Sequence, residues 1–368
     1  MVEKLKRRIE YIDALRGFTM ILVVFAHVET YMLEIEPNST FVSSLFISFR
    51  MPLFFFISGF IAYKKDTQWD FASYSQNLAK KLRVQLIPTF FFGLLYTYLF
   101  SIGNFKDFIT NYHKFGYWFT IALLGMFVIL YTSNLLCFLF RKKRRCLFLI
   151  LGMVILLAYI YRLFYETHPS IVLVSDIFCL HQICIYIPFF IVGYIVSEYK
   201  DMFHHFLDNR ILQLCIFILF CITFYVKYTS PAAFYEKNDA LLIYRNIQDY
   251  IIGLSGICII YNLFRVNSSK VSKETKLGRV LQYIGRRTLD IYMLHYFFLP
   301  RILLLGNYIY NKSDFVLELI IVGFFVVIVL LLCLFFSNIL RINKYTSYYL
   351  LGVQNNKAYK YINQSKNA

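Results

Sequence analysis

The sequence predicts an all-α polytopic membrane protein with about ten transmembrane helices and both termini in the cytoplasm, and three observations carry that prediction. The first is composition: 59% of the 368 residues are hydrophobic and only 16% are charged, whereas a water-soluble surface needs about a quarter of its residues charged. The second is the recurrence of apolar stretches of about 20 residues, each long enough to cross a hydrocarbon core of about 30 Å. The third is charge placement. A net charge of +17 is costly at membrane depth, so cations belong in the loops, and here they gather in alternate ones.

Taken in order, the candidate spans run over Ala14 to Leu33, Phe41 to Tyr63, Leu86 to Ile102, Tyr117 to Phe140, Cys146 to Tyr165, Gln182 to Ser197, Ile211 to Lys227, Tyr244 to Phe264, Thr288 to Leu305 and Phe315 to Leu340. The first is too polar at its start for a cleaved signal, because Asp13, Arg16 and His27 interrupt it and no small-residue cleavage site follows. The sixth and eighth begin in polar-flanked sequence, which suits tilted or broken helices. About 28 of the 38 Lys and Arg fall in the N-terminal segment, the even-numbered loops and the C-terminal tail, which puts that side in the cytoplasm. The densest clusters are Lys4 to Arg8, Lys80 to Arg83, Arg141 to Arg145 and Arg265 to Arg287. The chain reads as one integral-membrane domain over 1–368, with a core over 9–342 and a cytoplasmic tail over 343–368. Cations spread over many short loops give no nucleic-acid-binding module, so the bilayer itself is the expected partner of most of them. The eight Cys form no CxxC pair and most lie inside apolar runs, which argues against disulfides and against a metal site.

With the loops set aside, few ionisable groups remain at depth, and each needs a partner or a task. His27 follows Arg16 by eleven positions, about three helical turns, so the two share a face and lie about 16 Å apart along the axis. Arg50 lies about 13 Å into the second span and His295 about 10 Å into the ninth, with Asp290 and Tyr292 nearer the cytoplasm. His27, Arg50 and His295 therefore converge near mid-depth. Histidine exchanges protons near neutral pH, whereas arginine holds fixed positive charge. The acids nearest to spans, Asp13 and Asp290, sit near the inner face, which leaves Arg50 to face a substrate group.

These residues fall in ordered segments. Tyr11-Ile12-Asp13-Ala14-Leu15-Arg16-Gly17-Phe18, running on to His27, resembles the opening helix of the acyltransferase 3 family of bacterial membrane O-acyltransferases, with its basic residue, ten others and a His. Phe49-Arg50-Met51-Pro52-Leu53-Phe54-Phe55-Phe56-Ile57-Ser58-Gly59-Phe60 is similar to the family's second-helix signature, and Tyr117-Trp118-Phe119 to its aromatic motif at the start of the fourth helix. Ile284-Gly285-Arg286-Arg287-Thr288-Leu289-Asp290-Ile291-Tyr292-Met293-Leu294-His295 resembles its late motif. Two departures stand out: Arg50 replaces a His that commonly precedes Met-Pro, and the basic motif before the third helix reads Lys80, Lys81 and Arg83 ahead of Gln85 and Pro88. The variant resembles the branch described as fucose 4-O-acetylase-like.

The resemblance implies transfer of an acetyl or other short acyl group from cytoplasmic acetyl-CoA to a hydroxyl of an extracytoplasmic or lipid-linked glycan, in the bacterial cytoplasmic membrane and without a metal. It implies catalytic roles for His27, Arg16, Arg50 and His295, and CoA-phosphate contacts from Arg16, Lys80, Lys81 and Arg83. Asp13, Tyr117, Trp118, Tyr292 and Arg245 are the substrate-binding candidates, Tyr117 and Trp118 because aromatic rings on the acceptor side can stack on sugars. The rival is a transporter or flippase of a lipid-linked glycan, which would also need midplane Arg and His, although no internal symmetry between halves supports it. A glycan polymerase would need a larger outer loop than any present. No P-loop, HExxH or GxSxG element appears in a fitting context.

Overall fold

The computed structural model describes residues 9–65, 67, 69–100, 102–140, 144–164, 169–230 and 239–353. The basic cluster Lys4 to Arg8, part of Arg141 to Arg145 and the tail beyond 353 lie outside them. Among the described residues all regular structure is helical: α1 (Glu10–His27), α2 (Phe41–Ala62), α3 (Phe71–Leu99), α4 (Phe105–Thr110), α5 (Trp118–Leu139), α6 (Arg144–Phe164), α7 (Pro169–Phe178), α8 (Leu180–Glu198), α9 (Lys200–Asp208), α10 (Arg210–Thr229), α11 (Asp239–Val266), α12 (Lys276–Arg286), α13 (Thr288–Leu294), α14 (Leu303–Lys312), α15 (Phe315–Ile342) and α16 (Lys344–Tyr349). Nine helices among the described residues are long and apolar enough to cross a membrane, and a tenth crossing exists only if α13 and α14 form one bent span. An all-α polytopic membrane protein is what the sequence predicts.

Two of the expected spans differ in detail. The ninth was expected to run unbroken from Thr288 to Leu305, but a 3₁₀ turn at His295–Phe298 ends α13, and α14 departs at 103°. Pro300 supplies the reason, since proline lacks a donor and biases the preceding residue away from helix. The third was expected to begin at Leu86, with Lys80, Lys81 and Arg83 in a loop before it. Instead α3 starts at Phe71, capped by the Asp70 side chain accepting from the Ser73 backbone N–H at 2.8 Å, so the three cations lie on helix. The cap also accounts for the Asp70 carboxyl lying below the usual range, because the Ser73 hydrogen bonds favour its ionised form.

The chain forms two compact units, one of residues 1–57 and 199–332 and the other of 58–198 and 333–368. In the first, α1 packs closely on α12. A Cβ at Gly17 would overlap the Leu281 carbonyl, and one at Gly285 would overlap the Asp13 carbonyl. Two helices without side chains at their crossing approach backbone to backbone, the usual device where lipid offers no hydrophobic drive for association. This contact sets the register of α1 against α13, which follows α12 after Arg287. In the second unit Gly59 lies against the Phe190 backbone and Gly93 against the Phe108 ring, while a Thr89–Thr120 hydroxyl pair at 2.6 Å joins α3 to α5.

Candidate active site

The site is built where α1 ends. The α-helix gives way after His27 to a single π-turn, Val28–Met32, a distortion that redirects side chains and is frequent at functional sites. The break in the ninth span meets this turn: the Ile302 N–H donates to the Met32 carbonyl at 2.6 Å, and a Cβ at Gly306 would strike the Leu33 carbonyl. Irregular backbone at membrane depth persists only where protein or a wet cavity satisfies it. Here the two irregularities satisfy each other in part.

Along one face of α1, Arg16 donates to the Thr288 hydroxyl at 2.9 Å, and three turns on His27 Nδ1 lies 2.7 Å from His295 Nε2. The two imidazoles lie nearly parallel, 9° apart, with centroids 4.9 Å apart. The eleven-residue spacing is thus realised as two contacts to the same helical segment, one at each end of α13. His295 is fully buried and His27 half-buried, so the pair has one enclosed member and one open member.

Hydrogen-bond chemistry fixes the protons of this pair. His295 Nδ1 is 3.0 Å from the Ile291 carbonyl, which only accepts, so Nδ1 carries the hydrogen. With both rings neutral, His295 Nε2 is then a lone pair, His27 Nδ1–H donates to it, and His27 Nε2 is left as the basic atom. The Tyr296 hydroxyl is 3.4 Å from that nitrogen, at the long end of hydrogen-bond range. Tyr292, buried, lies with its ring centroid 5.8 Å from that of His295.

Arg50 acts electrostatically on both His27 and Glu29, which corrects the expectation that only a substrate group balances its charge. Glu29, two residues beyond His27, is a buried acid of the π-turn, and a second buried acid, Glu318 of α15, faces it. Thr40 donates to Glu318 at 2.7 Å. Sequence reasoning passed over both glutamates. The available signal was a single acid close behind the first-span histidine, whereas Glu318 lies 289 residues further along the chain and nothing local announces it.

The other candidates are placed as follows. Asp13 is half-buried in the first turn of α1, where its backbone carbonyl meets Gly285. Asp290 is buried and paired with Arg287 at 3.5 Å. Arg245 lines a cavity described below. Lys80 is exposed on α3, Lys81 lies 3.4 Å over the centre of the Phe127 ring, and Arg83 donates to the Tyr348 hydroxyl at 2.5 Å. Tyr117 was expected to offer its ring to a sugar. It is fully buried, packed edge-on against Tyr96 at 6.1 Å, because the left-handed run Lys114, Phe115 and Gly116 turns the chain inward. Trp118 stacks on Tyr186 at 5.7 Å. Among the described residues, no group of three or more His, Cys, Asp or Glu is arranged to hold a metal ion.

Fold and site together define a polytopic membrane protein whose first span carries a histidine hydrogen-bonded to a second histidine from a broken span. A family model for the acyltransferase domain matches residues 9–338, nearly the whole chain, and the protein belongs to that family, acyltransferase 3. It is a multi-pass membrane acyltransferase. Comparison with curated proteins and with solved structures gives no match.

Proposed function

We propose that this acyltransferase moves an acetyl or similarly short acyl group from acyl-CoA to a sugar hydroxyl on the extracytoplasmic side of the bacterial cytoplasmic membrane, with His27 as the general base. The observation that carries the reading is the His27–His295 hydrogen bond, which leaves Nε2 of His27 as a lone pair on the half-buried member of the pair. The acceptor O–H gives its proton to that nitrogen as its oxygen attacks the thioester carbonyl carbon. The C–S bond then breaks, and the proton passes from His27 to the departing thiolate, releasing CoA as the free thiol. His295 keeps accepting from Nδ1 throughout, so it orients the ring and supports the cation that forms, as the third member of a catalytic triad does. Arg50, with fixed charge beside His27, stabilises the oxyanion.

On the donor side, Arg16 and the exposed Lys80 are the cations suited to CoA phosphates. Lys81 and Arg83 already engage aromatic rings of the protein and contribute less. Basic loop residues orient both termini toward the cytoplasm by their excess on that side. The test is mass spectrometry of surface glycan from cells with and without the protein. Loss of the mass of one acetyl group per repeat is expected. A larger lost mass would name a different acyl group, and loss of the whole glycan would favour a flippase instead.

A further inference from the structure

Within the first unit, a cavity of about 440 Å³ opens beside α2, walled by Ser44 and Ser48 of α2, the last turn of α10 and Arg245 of α11. That volume falls in the range of small-molecule sites, roughly 300–1,000 Å³. Arg50 follows Ser48 by two residues, about 3 Å along the helix axis, so the cavity's α2 wall ends beside the residue that acts on His27.

The polar chemistry of the wall selects a ligand class. Ser48, Thr229 and Ser230 spend their hydroxyl hydrogens on helix carbonyls of Ser44, Tyr225 and Val226, at 2.7, 2.9 and 2.7 Å. Their oxygens are left as acceptors, each wanting a donor from the ligand. Ser44 is different. Its Oγ is buried and makes no hydrogen bond, an arrangement that costs roughly 1–3 kcal/mol unless a ligand completes it. Lys227 is held by Asp249 at 2.7 Å, and Arg245 and Glu36 add one further cation and one further acid to the lining, so the wall offers donors without a net charge. Phe224 and Tyr228, parallel within 13° and braced edge-on by Phe41, add an apolar face. A phosphate or carboxylate, which only accepts, would meet a row of hydroxyl acceptors, the Glu36 carboxylate and a lining whose cations are matched by acids. A lipid tail would leave Ser44 unsatisfied. An uncharged polyhydroxyl ring satisfies all of these together, with its hydroxyls donating to Ser48, Thr229 and Ser230, accepting from Ser44 and Lys227, and its C–H face on the aromatic pair.

We infer that this cavity is a binding subsite for an uncharged pyranose unit of the acceptor. The inference rests on the transfer reading for calling the sugar an acceptor, but binding itself is separable from transfer. The experiment is saturation-transfer NMR on the purified full-length chain in a sugar-free detergent, with a panel of neutral methyl pyranosides, a methyl hexuronoside, inorganic phosphate and a sugar-free polyether as probes. At least one neutral glycoside is expected to bind at millimolar concentration in preference to the other three. Ser44→Ala is expected to weaken that binding about tenfold without lowering the melting temperature, since no protein partner is lost. Ser48→Leu, which fills the cavity, is expected to abolish it. His27→Ala is expected to retain the sugar signal, so intact binding with lost transfer speaks to catalysis and not to the subsite. Preference for the uronoside or phosphate, no bound glycoside, or unchanged binding in Ser48→Leu overturns the inference, even if acyl transfer proceeds normally.

Discussion

Each compact unit buries an ionisable side chain, and the two are treated in opposite ways. In the second unit Lys114 is fully buried with its ammonium on three backbone carbonyls, those of Ile109, Asn111 at 3.0 Å and Asp176 at 2.5 Å. Three protons meet three acceptors and nothing is left over. Burial still pulls its pKa below the usual lysine range, although Cys179 and Asp176 oppose the shift, and the nearby left-handed turn is held in place. In the first unit His27 spends one nitrogen on His295 and keeps the other for a long contact to Tyr296. A buried polar group whose valences are all used is a structural tie, while one with a valence held open in fixed geometry is equipped for chemistry. The difference lies in how many of each group's valences its partners occupy.

The sharpest way to break this comparison is to alter the partner and not the base. His295→Ala should lower acyl transfer about 10- to 1,000-fold by freeing the His27 ring to adopt the wrong tautomer. His295→Gln, whose amide oxygen can accept the same hydrogen bond, should recover a good part of it, with KM for acyl-CoA little changed in either variant. Steady-state kinetics on the two purified variants checks both statements, and equal activity in Ala and Gln would reduce His295 to a packing residue. Lys114→Met should cost about 2–4 kcal/mol of stability by stranding three carbonyls, with turnover per folded molecule unchanged. Denaturation followed alongside turnover tests this, and a fall in kcat at unchanged stability would undo the contrast between the units.

Smaller effects sharpen the first unit's interior. Glu29→Gln should reduce kcat about tenfold, because a buried acid that answers to both Glu318 and Arg50 is replaced by an amide that cannot ionise, and the pH profile of kcat should move with it. An unaltered profile would mean that Glu29 only fills space. Tyr296→Phe should change kcat less than about threefold, since a hydrogen bond at 3.4 Å contributes little.

Much of this was legible in the sequence. Hydropathy located the helices because a bilayer demands apolar length. The eleven-residue interval from Arg16 to His27 required a shared face, and both residues do meet α13. Legibility failed where long-range partners or local breakers decide. Pro300 was in plain view, yet apolar length alone carried the ninth span past it, hiding the 103° break that places His295 at a helix end. The polar first half of α3 has no apolar signature, and only the Asp70 to Ser73 cap spacing marks its start. Tyr117 was assigned to the acceptor side by motif and by its place at the head of a span, and the positive φ of Lys114, Phe115 and Gly116 that buries it is a tertiary outcome. The facing of Glu29 and Glu318 joins the first span to the last, so no window along the chain contains it.

The proposed transfer depends on the open nitrogen of His27, and chemical rescue probes that nitrogen directly. Acyl transfer by the purified, folded His27→Ala chain should fall about 10²–10⁴-fold, and added imidazole, a diffusible replacement for the missing base, should restore part of the lost rate. Undiminished transfer in His27→Ala would contradict the assignment outright.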